Sequence, residues 1–206
     1  MRQVRVQVFA RDPVPGQTKT RLIPALGAAG ACDCYRCLLG AMLERVHEAG
    51  VGEIELWADQ PPTTDELAGL ADGVGASLRV QRGKDLGARM AHALEDALAD
   101  GALPVLVGSD VMGLQSRHVQ DAAARLRGGA VAVFAPAEDG GYGLVGLSAP
   151  WRALFEDVPW GTSEVLAITR KRTIGRGVAW LDAVWDVDGP ADLARLQGDR
   201  FSACRP

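Results

Sequence analysis

The sequence lacks several features that would identify a function directly. Its 206 residues contain no apolar run that approaches the ~18 residues of a membrane span, and the start shows no apolar core of a signal peptide. A formal net charge of −4 argues against a general nucleic-acid binder, which normally carries a basic face. The sequence has no G-x-S-x-G elbow, and its G-x-G-x-x-G match, GYGLVG, lies inside a predicted strand instead of in a turn that opens a helix. We therefore expect a cytoplasmic protein that binds neither membranes nor nucleic acid, and we disfavour hydrolases and dinucleotide-binding enzymes.

Cysteine is also scarce, and the four residues present do not form a recognisable metal site. Cys32, Cys34 and Cys37 lie in a stretch typical of a helix, where Cys32 points nearly opposite to the other two at about 100° per residue. No Cys or His pair elsewhere completes a four-ligand site at the usual zinc spacing. We interpret these thiols, and Cys204, as buried or incidental.

Strand-like and helix-like segments alternate along nearly the whole chain. LPVLVG is a continuous apolar run, which is typical of a strand buried on both faces of a parallel sheet. The Asp-Gly-Gly turn before GYGLVGL predicts one strand that breaks the alternation. The pattern predicts one α/β domain over 1–206, with three α/β/α layers and a mostly parallel, mixed sheet. The predicted strands are 4–10, 53–58, 77–81, 103–108, 130–136, 141–147 and 178–187, and the predicted helices are 28–49, 86–100, 116–127, 163–172 and 191–197.

A loop with one lysine and one arginine, DPVPGQTKTRL, follows the first predicted strand. It is not a P-loop, because Lys19 is not preceded by glycine and because Pro13 and Pro15 lack backbone N–H groups. Ligands of open parallel sheets bind beyond the carboxyl ends of the strands, where this loop lies. We therefore predict that the side chains of Lys19 and Arg21 bind phosphate.

Carboxylates follow two other predicted strands. Asp110 comes two small residues after VLVG, and Asp186 and Asp188 lie at i, i+2 in WDVDG, where extended geometry would let them share a cation. Asp188-Gly189-Pro190 is equally typical of a helix start. Mg²⁺ and Mn²⁺ prefer one or two carboxylates together with phosphate oxygens. We predict a metal site made of Asp110 with Asp186 and Asp188, and leave open which of the last two is the second ligand.

The stretch PAEDGGYGLVGL supplies candidates for an acceptor side. It is either a hairpin turn preceded by a solvated acid or a cleft wall in which an acid orients or deprotonates an acceptor hydroxyl. The predicted acceptor-side residues are Glu138, Gly140, Gly141 and Tyr142, and the predicted catalytic residues are Lys19, Asp110 and Asp139. In QRGKDLGARM, two glycines bracket a loop into a helix whose amides could face an anion. The predicted nucleotide- and phosphate-binding residues are Arg11, Gly16, Lys19, Arg21, Gly83, Asp85, Gly87 and Ser109.

Six motifs in one order give the sequence a family resemblance. FARDPVPGQTKTRL, QRGKDLGARM, VGSD, PAEDGGYGLVGL, PWGTSEVL and DVDGPADL occur over about residues 8–195. The set resembles a bacterial family of small GT-A-fold transferases, some tied to arsenosugar biosynthesis. That family is similar to phospholactate guanylyltransferase and the molybdopterin-cofactor nucleotidyltransferases. The resemblance implies a nucleotide-diphospho-sugar transferase fold, a nucleotide donor and a divalent metal. It implies donor phosphates on Lys19 and Arg21, Asp110 as the main metal ligand, and residues 139–143 on the acceptor side.

We predict a glycosyltransferase that uses Mg²⁺ or Mn²⁺ and moves a sugar from a nucleotide sugar to a small acceptor. The alternative is a nucleotidyltransferase that joins an NTP to a phosphorylated small molecule and releases pyrophosphate. A second alternative is a non-catalytic nucleotide-binding protein, because Val111-Met112 stands where the family pattern has a proline-containing pair. The base, sugar, acceptor and oligomeric state stay open at this point.

Overall fold

The computed structural model describes residues 2–205 of the chain. Its strands are β1 (Val4–Ala10), β2 (Gly52–Ala58), β3 (Ser77–Val80), β4 (Leu103–Gly108), β5 (Ala132–Pro136), β6 (Tyr142–Leu147) and β7 (Val178–Trp180). Its α-helices are α1 (Ile23–Ala49), α2 (Glu66–Gly73), α3 (Leu86–Ala99), α4 (Ser116–Arg127), α5 (Val165–Arg172) and α6 (Pro190–Leu193). Short 3-10 turns cover Thr20–Leu22, Arg152–Leu154 and Asp199–Cys204.

All seven strands form one sheet in the order β3-β2-β1-β4-β6-β5-β7. Strands β1 to β4 pair in parallel, and β6 runs antiparallel to both β4 and β5. The predicted mixed, mostly parallel sheet is therefore confirmed, and the strand that breaks the alternation is GYGLVGL. Because β1, β2, β3 and β4 all point the same way, their carboxyl ends meet at one edge of the sheet.

Two apolar cores cover the two faces of the sheet. Alternate strand residues belong to opposite cores: Val133 and Ala135 pack with α1 and α4, whereas Ala132 and Phe134 pack with α3. This alternation follows from the two-residue period of a strand. The result is the predicted three-layer α/β/α arrangement.

The sequence prediction was wrong at three places in the secondary structure. The predicted strand 178–187 ends at Trp180, because the chain then crosses the carboxyl edge of the sheet and keeps only the isolated bridge from Val184 to Ala137. Helix α2 was not predicted, and the predicted closing helix is only four residues long. Helix α1 begins five residues earlier than predicted, but Gly27 breaks its geometry with φ 71°, so regular helix starts at residue 28 as predicted.

Helix α1 is longer and more apolar as a whole than the search for uninterrupted apolar runs indicated. Together with the turn before it, Thr20–Ala49 is long and apolar enough to cross a membrane by length and composition, and an 18-residue window within it has a mean hydropathy of 1.3. Buried helices of globular proteins pass the same test. Here 39% of that window is buried, and Leu38, Leu39 and Met42 are fully buried against the sheet. Part of the apolarity of α1 is thus used in the core.

The interpretation of the cysteines as buried or incidental thiols was wrong for Cys34 and Cys204, which are buried but form a disulfide. Cys34 of α1 forms a disulfide with Cys204, with the two Cα atoms 4.6 Å apart. Cys32 is a buried free thiol and Cys37 a partly exposed one. The pairing spans 170 residues and arises because the last turn returns across α1, which no local pattern reveals. The disulfide holds the turn Asp199–Cys204 against α1.

Candidate functional site

Two loops meet at the carboxyl edge of the sheet and are joined by backbone hydrogen bonds. Val187 N donates to Asp110 O at 3.1 Å, and Gly113 N donates to Trp185 O at 2.8 Å. A Cβ on Gly113 would lie 2.5 Å from Trp185 N, so this close approach requires glycine. Val111 and Met112 are only 4% and 3% exposed, so the unusual pair after Asp110 packs into the core beneath the site.

Three carboxylates form an acidic cluster above these loops. One oxygen each of Asp139, Asp186 and Asp188 lies within 4.8 Å of the others. Asp139 accepts a hydrogen bond from Gly141 N at 2.8 Å. Asp192 accepts from the backbone N–H groups of Asp188 and Gly189 at 3.0 and 2.8 Å, so WDVDG is both a helix start and part of the cluster. The structure thus brings Asp186 and Asp188 together with Asp139, which was predicted as catalytic rather than as a ligand.

Asp110 lies beside this cluster but is paired with Lys19. The Lys19 ammonium contacts Asp110 Oδ2 and the Val187 carbonyl, and it lies 4.0 Å from Asp188 Oδ1. The Lys19 side chain is only 9% exposed, and its backbone adopts a left-handed conformation with φ 47°. Arg21 reaches Asp188 at 3.3 Å from a side chain that is 74% exposed. The two predicted phosphate-binding cations therefore both face the acidic site.

The crowding of negative charge is strongest at the half-buried Asp186. Burial, together with the neighbouring Asp188, Asp139 and Asp110 carboxylates, raises the pKa of Asp186 from 3.8 to about 6. A divalent cation held by these oxygens would relieve that repulsion, and an all-carboxylate donor set suits a hard ion. The residues present therefore fit Mg²⁺ or Mn²⁺.

Two other acceptor-side candidates have different surroundings. Glu138 accepts two hydrogen bonds from Arg195, at 2.8 and 2.9 Å, and this contact lowers the pKa of Glu138 below its ordinary value. The Tyr142 hydroxyl is buried without a hydrogen-bond partner among the described residues, and burial raises the pKa of Tyr142. Glu138 is thus a poor proton acceptor, and Tyr142 stays protonated.

Two cavities lie on either side of Asp110. The first measures about 180 Å³ and is lined by Arg11, Asp59, Gln81 and Ser109; we call it the donor cavity because Arg11 and Ser109 were predicted to bind the nucleotide. The second measures about 210 Å³ and is lined by Asp139, Asp186, Tyr142 and Trp160 among others; we call it the acceptor cavity because Tyr142 was predicted on the acceptor side. Leu86, Gly108 and Asp110 line both cavities. A ligand that spans them would pass over Asp110.

The donor cavity rests on a rigid floor. The Tyr35 hydroxyl lies 3.1 Å from Ser109 Oγ and accepts from Arg11 N at 2.7 Å, and Gln81 Nε2 donates to Trp57 O at 2.8 Å. The sequence prediction included Arg11 and Ser109 but missed Asp59 and Gln81. Both follow β2 and β3 directly, so the rule that ligands bind at strand ends could have found them.

The remaining predicted glycine-loop residues line neither of these cavities. Asp85 caps α3 by accepting from Ala88 N at 2.8 Å, and Asp85 and Gly87 line a third cavity of about 280 Å³. A Cβ on Gly87 would lie 2.4 Å from Trp160 Nε1, so Gly87 lets the indole pack against α3. Gly83 lies in the turn before α3, Gly16 in the turn before Lys19, and Gly140 in the turn after Asp139. The positions of these glycines therefore indicate roles in turns and in packing.

The chain belongs to the bacterial family described as "Uncharacterized protein conserved in bacteria (DUF2064)", whose model matches residues 42–162. A structure from Desulfovibrio desulfuricans G20, provisionally assigned as a nucleotide-diphospho-sugar transferase, is 28% identical. It superposes with a TM-score of 0.86 over 98% of this chain and 94% of that one. Comparison with curated protein sequences gives no match.

Two more distant structures share the fold. A cytidylyltransferase from Leptospira borgpetersenii is 14% identical, with a TM-score of 0.60 over 98% of this chain and 91% of that one. The glucosyl-3-phosphoglycerate synthase of Mycobacterium tuberculosis, in complex with Mn²⁺, UDP and glucosyl-3-phosphoglycerate, is also 14% identical. Its TM-score is 0.56 over 94% of this chain and 75% of that one. The predicted nucleotide-diphospho-sugar transferase fold is confirmed.

Proposed function

We propose that this member of the family is a metal-dependent transferase with a nucleotide-activated donor, specifically a glycosyltransferase that moves a sugar from a nucleotide sugar to a small acceptor. The observation that carries the proposal is the position of the carboxylates and Lys19 at the carboxyl edge, between two cavities that meet at Asp110. The shared fold with a Mn²⁺- and UDP-bound glucosyl transferase supports it. Because strands from Val4 to Trp180 form one sheet, we also propose that the chain acts as a single domain.

The nucleoside of the donor fits the cavity at the ends of β1 to β4. From there its phosphates would extend over Asp110 towards Lys19 and Arg21. A charge-assisted hydrogen bond contributes roughly 1.5–3 kcal/mol, so the buried Lys19 ammonium would supply a large share of the phosphate affinity. On binding, phosphate oxygens would compete with Asp110 for this ammonium.

The acidic cluster would hold the metal. Asp186 and Asp188 are its ligands in this proposal, with Asp110 completing the protein's share of the shell. When bound, Mg²⁺ or Mn²⁺ supplies neutralisation of the charge that develops on the leaving nucleoside diphosphate. The hydrogen bonds from Asp188 N and Gly189 N to Asp192 hold the ligand loop in place before any ligand arrives.

The transfer step assigns a role to Asp139. The acceptor oxygen forms a bond to the anomeric carbon, and the bond from that carbon to the phosphate oxygen breaks with its electron pair on the oxygen. The nucleoside diphosphate leaves, and the proton of the acceptor hydroxyl passes to a carboxylate. Asp139 is suited to this because it lines the acceptor cavity, whereas Glu138 is engaged by Arg195.

Nucleotidyl transfer is the second candidate, favoured by the same pair of cations. Lys19 and Arg21 would equally stabilise an NTP whose α-phosphorus is attacked by a phosphorylated substrate. The leaving group would then be pyrophosphate instead of a nucleoside diphosphate. Product identity therefore separates the two reactions.

The test is to incubate the protein with Mg²⁺ or Mn²⁺ and one of two donor pools, NTPs or nucleotide sugars. Each pool contains small hydroxylated and phosphorylated acceptors, and products are identified by mass spectrometry. We expect a nucleoside diphosphate from the sugar pool; pyrophosphate from the NTP pool would establish the second candidate. Asp139→Asn should abolish turnover, and Asp182→Asn is the matched control because Asp182 is an exposed acid paired with Arg117. If nucleotide binds but neither pool is turned over, the protein is a non-catalytic nucleotide-binding protein.

A further inference from the structure

The acceptor cavity has acidic groups but no basic ones. Its lining includes Asp110, Asp139 and Asp186, and within residues 2–205 no lysine, arginine or histidine contributes to that lining. The nearest cation by its contacts, Lys19, is engaged by Asp110 and the Val187 carbonyl beside the cavity. A ligand in this cavity therefore meets Asp139 and Asp186 without a basic side chain in the described lining.

The rest of the acceptor cavity is mostly apolar. Its walls include Leu86, Met90, Val111 and Val165, together with the rings of Tyr142 and Trp160. Trp160 stacks on Phe155 at 6.4 Å between ring centroids and meets the edge of Tyr142 at 6.2 Å. These contacts fix the indole as the end wall. A cavity of about 210 Å³ with this wall suits a compact body such as a single six-membered ring.

Cations are present nearby, but on the other side of that wall. Trp160 also lines the third cavity, where Lys84 and Arg152 are found, and Arg152 is paired there with Glu95. Asp85, Glu156 and Asp157 also line the third cavity, so both signs of charge occur there. The indole thus keeps Lys84 and Arg152 out of the lining of the acceptor cavity.

We propose that the acceptor is a neutral or cationic hydroxyl compound with a compact apolar body, and not a phosphorylated or carboxylated molecule. This inference rests on the proposed transfer function and names the acceptor class of that same site. The hydroxyl faces Asp139 while the body packs against the apolar walls. A divalent cation does not reverse the argument, because the donor diphosphate brings negative charge that offsets it.

The proposed charge preference differs from the charge of a compound bound to a known structure with the same fold. Glucosyl-3-phosphoglycerate synthase from Mycobacterium tuberculosis has been solved in complex with phosphoglyceric acid, an anionic compound. Basic groups favour the binding of an anion, and the described lining of the acceptor cavity has carboxylates instead. The same reasoning speaks against a phosphorylated substrate for nucleotidyl transfer in this cavity.

The experiment uses three ring compounds of nearly equal size that differ in charge: tyramine, 4-hydroxybenzyl alcohol and 4-hydroxybenzoate. Binding to the full chain with Mg²⁺ and a nucleoside diphosphate is measured by ligand-observed NMR, and transfer is measured with the sugar-donor pool. We expect the cationic and neutral compounds to bind at least about tenfold more tightly than the anionic one, since like-charge contact costs more than about 1.4 kcal/mol. Equal or tighter binding of 4-hydroxybenzoate, or no binding of any of the three, would overturn the inference.

A charge-gain variant tests the cause. Thr162 is exposed and lines the acceptor cavity, so Thr162→Lys adds a cation there. We expect Thr162→Lys to raise 4-hydroxybenzoate affinity about tenfold, while Ser163→Lys, which adds the same charge at an exposed neighbouring residue, does not. An unchanged preference in a folded Thr162→Lys protein would contradict the role of charge. If none of the three compounds receives a sugar but their order of affinity is as expected, the proposed glycosyl transfer is wrong and the charge preference of the acceptor cavity is retained.

Discussion

The two cavities that meet at Asp110 differ in the charge of their surroundings. Arg11 and Asp59 line the donor cavity, and Lys19 pairs with Asp110, which lines both cavities. The described lining of the acceptor cavity has carboxylates, aromatic rings and aliphatic side chains, with no basic residue. A basic side chain is therefore found in the lining on one side of Asp110 and not on the other. The net charge of −4 gives no indication of that difference.

From this difference we expect the two cavities to bind different parts of the reacting pair. Cations are useful where a phosphate chain must be held, and they would be harmful where an apolar acceptor must present its hydroxyl to a carboxylate. A change on the donor side should therefore affect nucleotide affinity alone. A change on the acceptor side should affect the choice of acceptor alone.

Removing the buried cation should have the largest effect. Lys19→Ala deletes the ammonium that we assign to the donor phosphates and leaves Asp110 without its partner. We expect nucleoside diphosphate binding to weaken by roughly 1.5–3 kcal/mol, or about 10- to 150-fold, as measured by calorimetry. Lys171→Ala, at an exposed lysine of α5, is the control. Full affinity in Lys19→Ala would show that the loop after β1 does not bind the donor.

Opening the end wall of the acceptor cavity should have the next largest effect. Trp160→Ala would join the cavities of about 210 and 280 Å³ and make room for a longer acceptor. We expect a neutral biphenyl acceptor to gain about tenfold in affinity, because its second ring would be buried in the enlarged cavity, while nucleotide affinity is unchanged. Trp160→Phe should keep the wall, and Trp151→Ala, at a residue that stacks with Arg176, is a control for tryptophan loss. A gain in Trp151→Ala as well would remove the special role of Trp160.

Neutralising Asp186 should change stability with a defined dependence on pH. The folded-state pKa of Asp186 is about 6, against an ordinary 3.8. Protonated Asp186 therefore contributes stability in full below pH 3.8, and this contribution is lost as the pH rises through about 6. We expect metal-free Asp186→Asn at pH 7.5 to gain about 1 kcal/mol, or about 2–4 °C in Tm, with no gain at pH 3.5.

The control for this comparison is Asp182→Asn, which should leave Tm unchanged at both pH values. Adding Mn²⁺ should stabilise the wild-type protein more than Asp186→Asn, since the variant lacks one ligand. A lower Tm for Asp186→Asn at pH 7.5 would mean that the carboxylate is stabilising and that the acidic cluster is not under repulsion.

The exposed cation should matter least. Arg21 is 74% exposed, and an exposed ion pair is worth less than about 1 kcal/mol. We expect Arg21→Ala to weaken nucleoside diphosphate binding about fivefold or less, with the difference shrinking as salt rises, in a titration at 50 and 500 mM NaCl. An effect as large as that of Lys19→Ala would indicate that Arg21 closes over the phosphates.

Much of the fold could be predicted because its signals are local. The alternation in VRVQVFA and the apolar run in LPVLVG gave the bounds of β1 and β4, and Asp-Gly-Gly marked the strand that reverses direction. The segment after Trp180 could not be predicted in the same way. Its apolar residues suggested a longer strand, but they are used to cross the sheet edge and to contact Asp110 and Ala137.

The candidate site was partly predictable for the same reason. Polar residues at strand ends can be found in the sequence, and Asp110, Lys19, Asp186 and Asp188 were found in this way. Asp59 and Gln81 follow the same rule and were missed. Trp160 gave no such signal, because a tryptophan becomes a cavity wall only through the groups packed around it.

The sequence alone determined where β1 and β4 end and which polar residues follow them, since strand periodicity and turn chemistry act over a few residues. Only the tertiary structure decided that β7 ends at Trp180, that Asp139 joins Asp186 and Asp188, and that Lys19 pairs with Asp110. It also decided that Cys34 meets Cys204 and that Trp160 separates the acceptor cavity from the cavity that contains Lys84. Each of these outcomes depends on chain segments that are distant in sequence and adjacent in space, where packing and electrostatics rather than local preference select the partner.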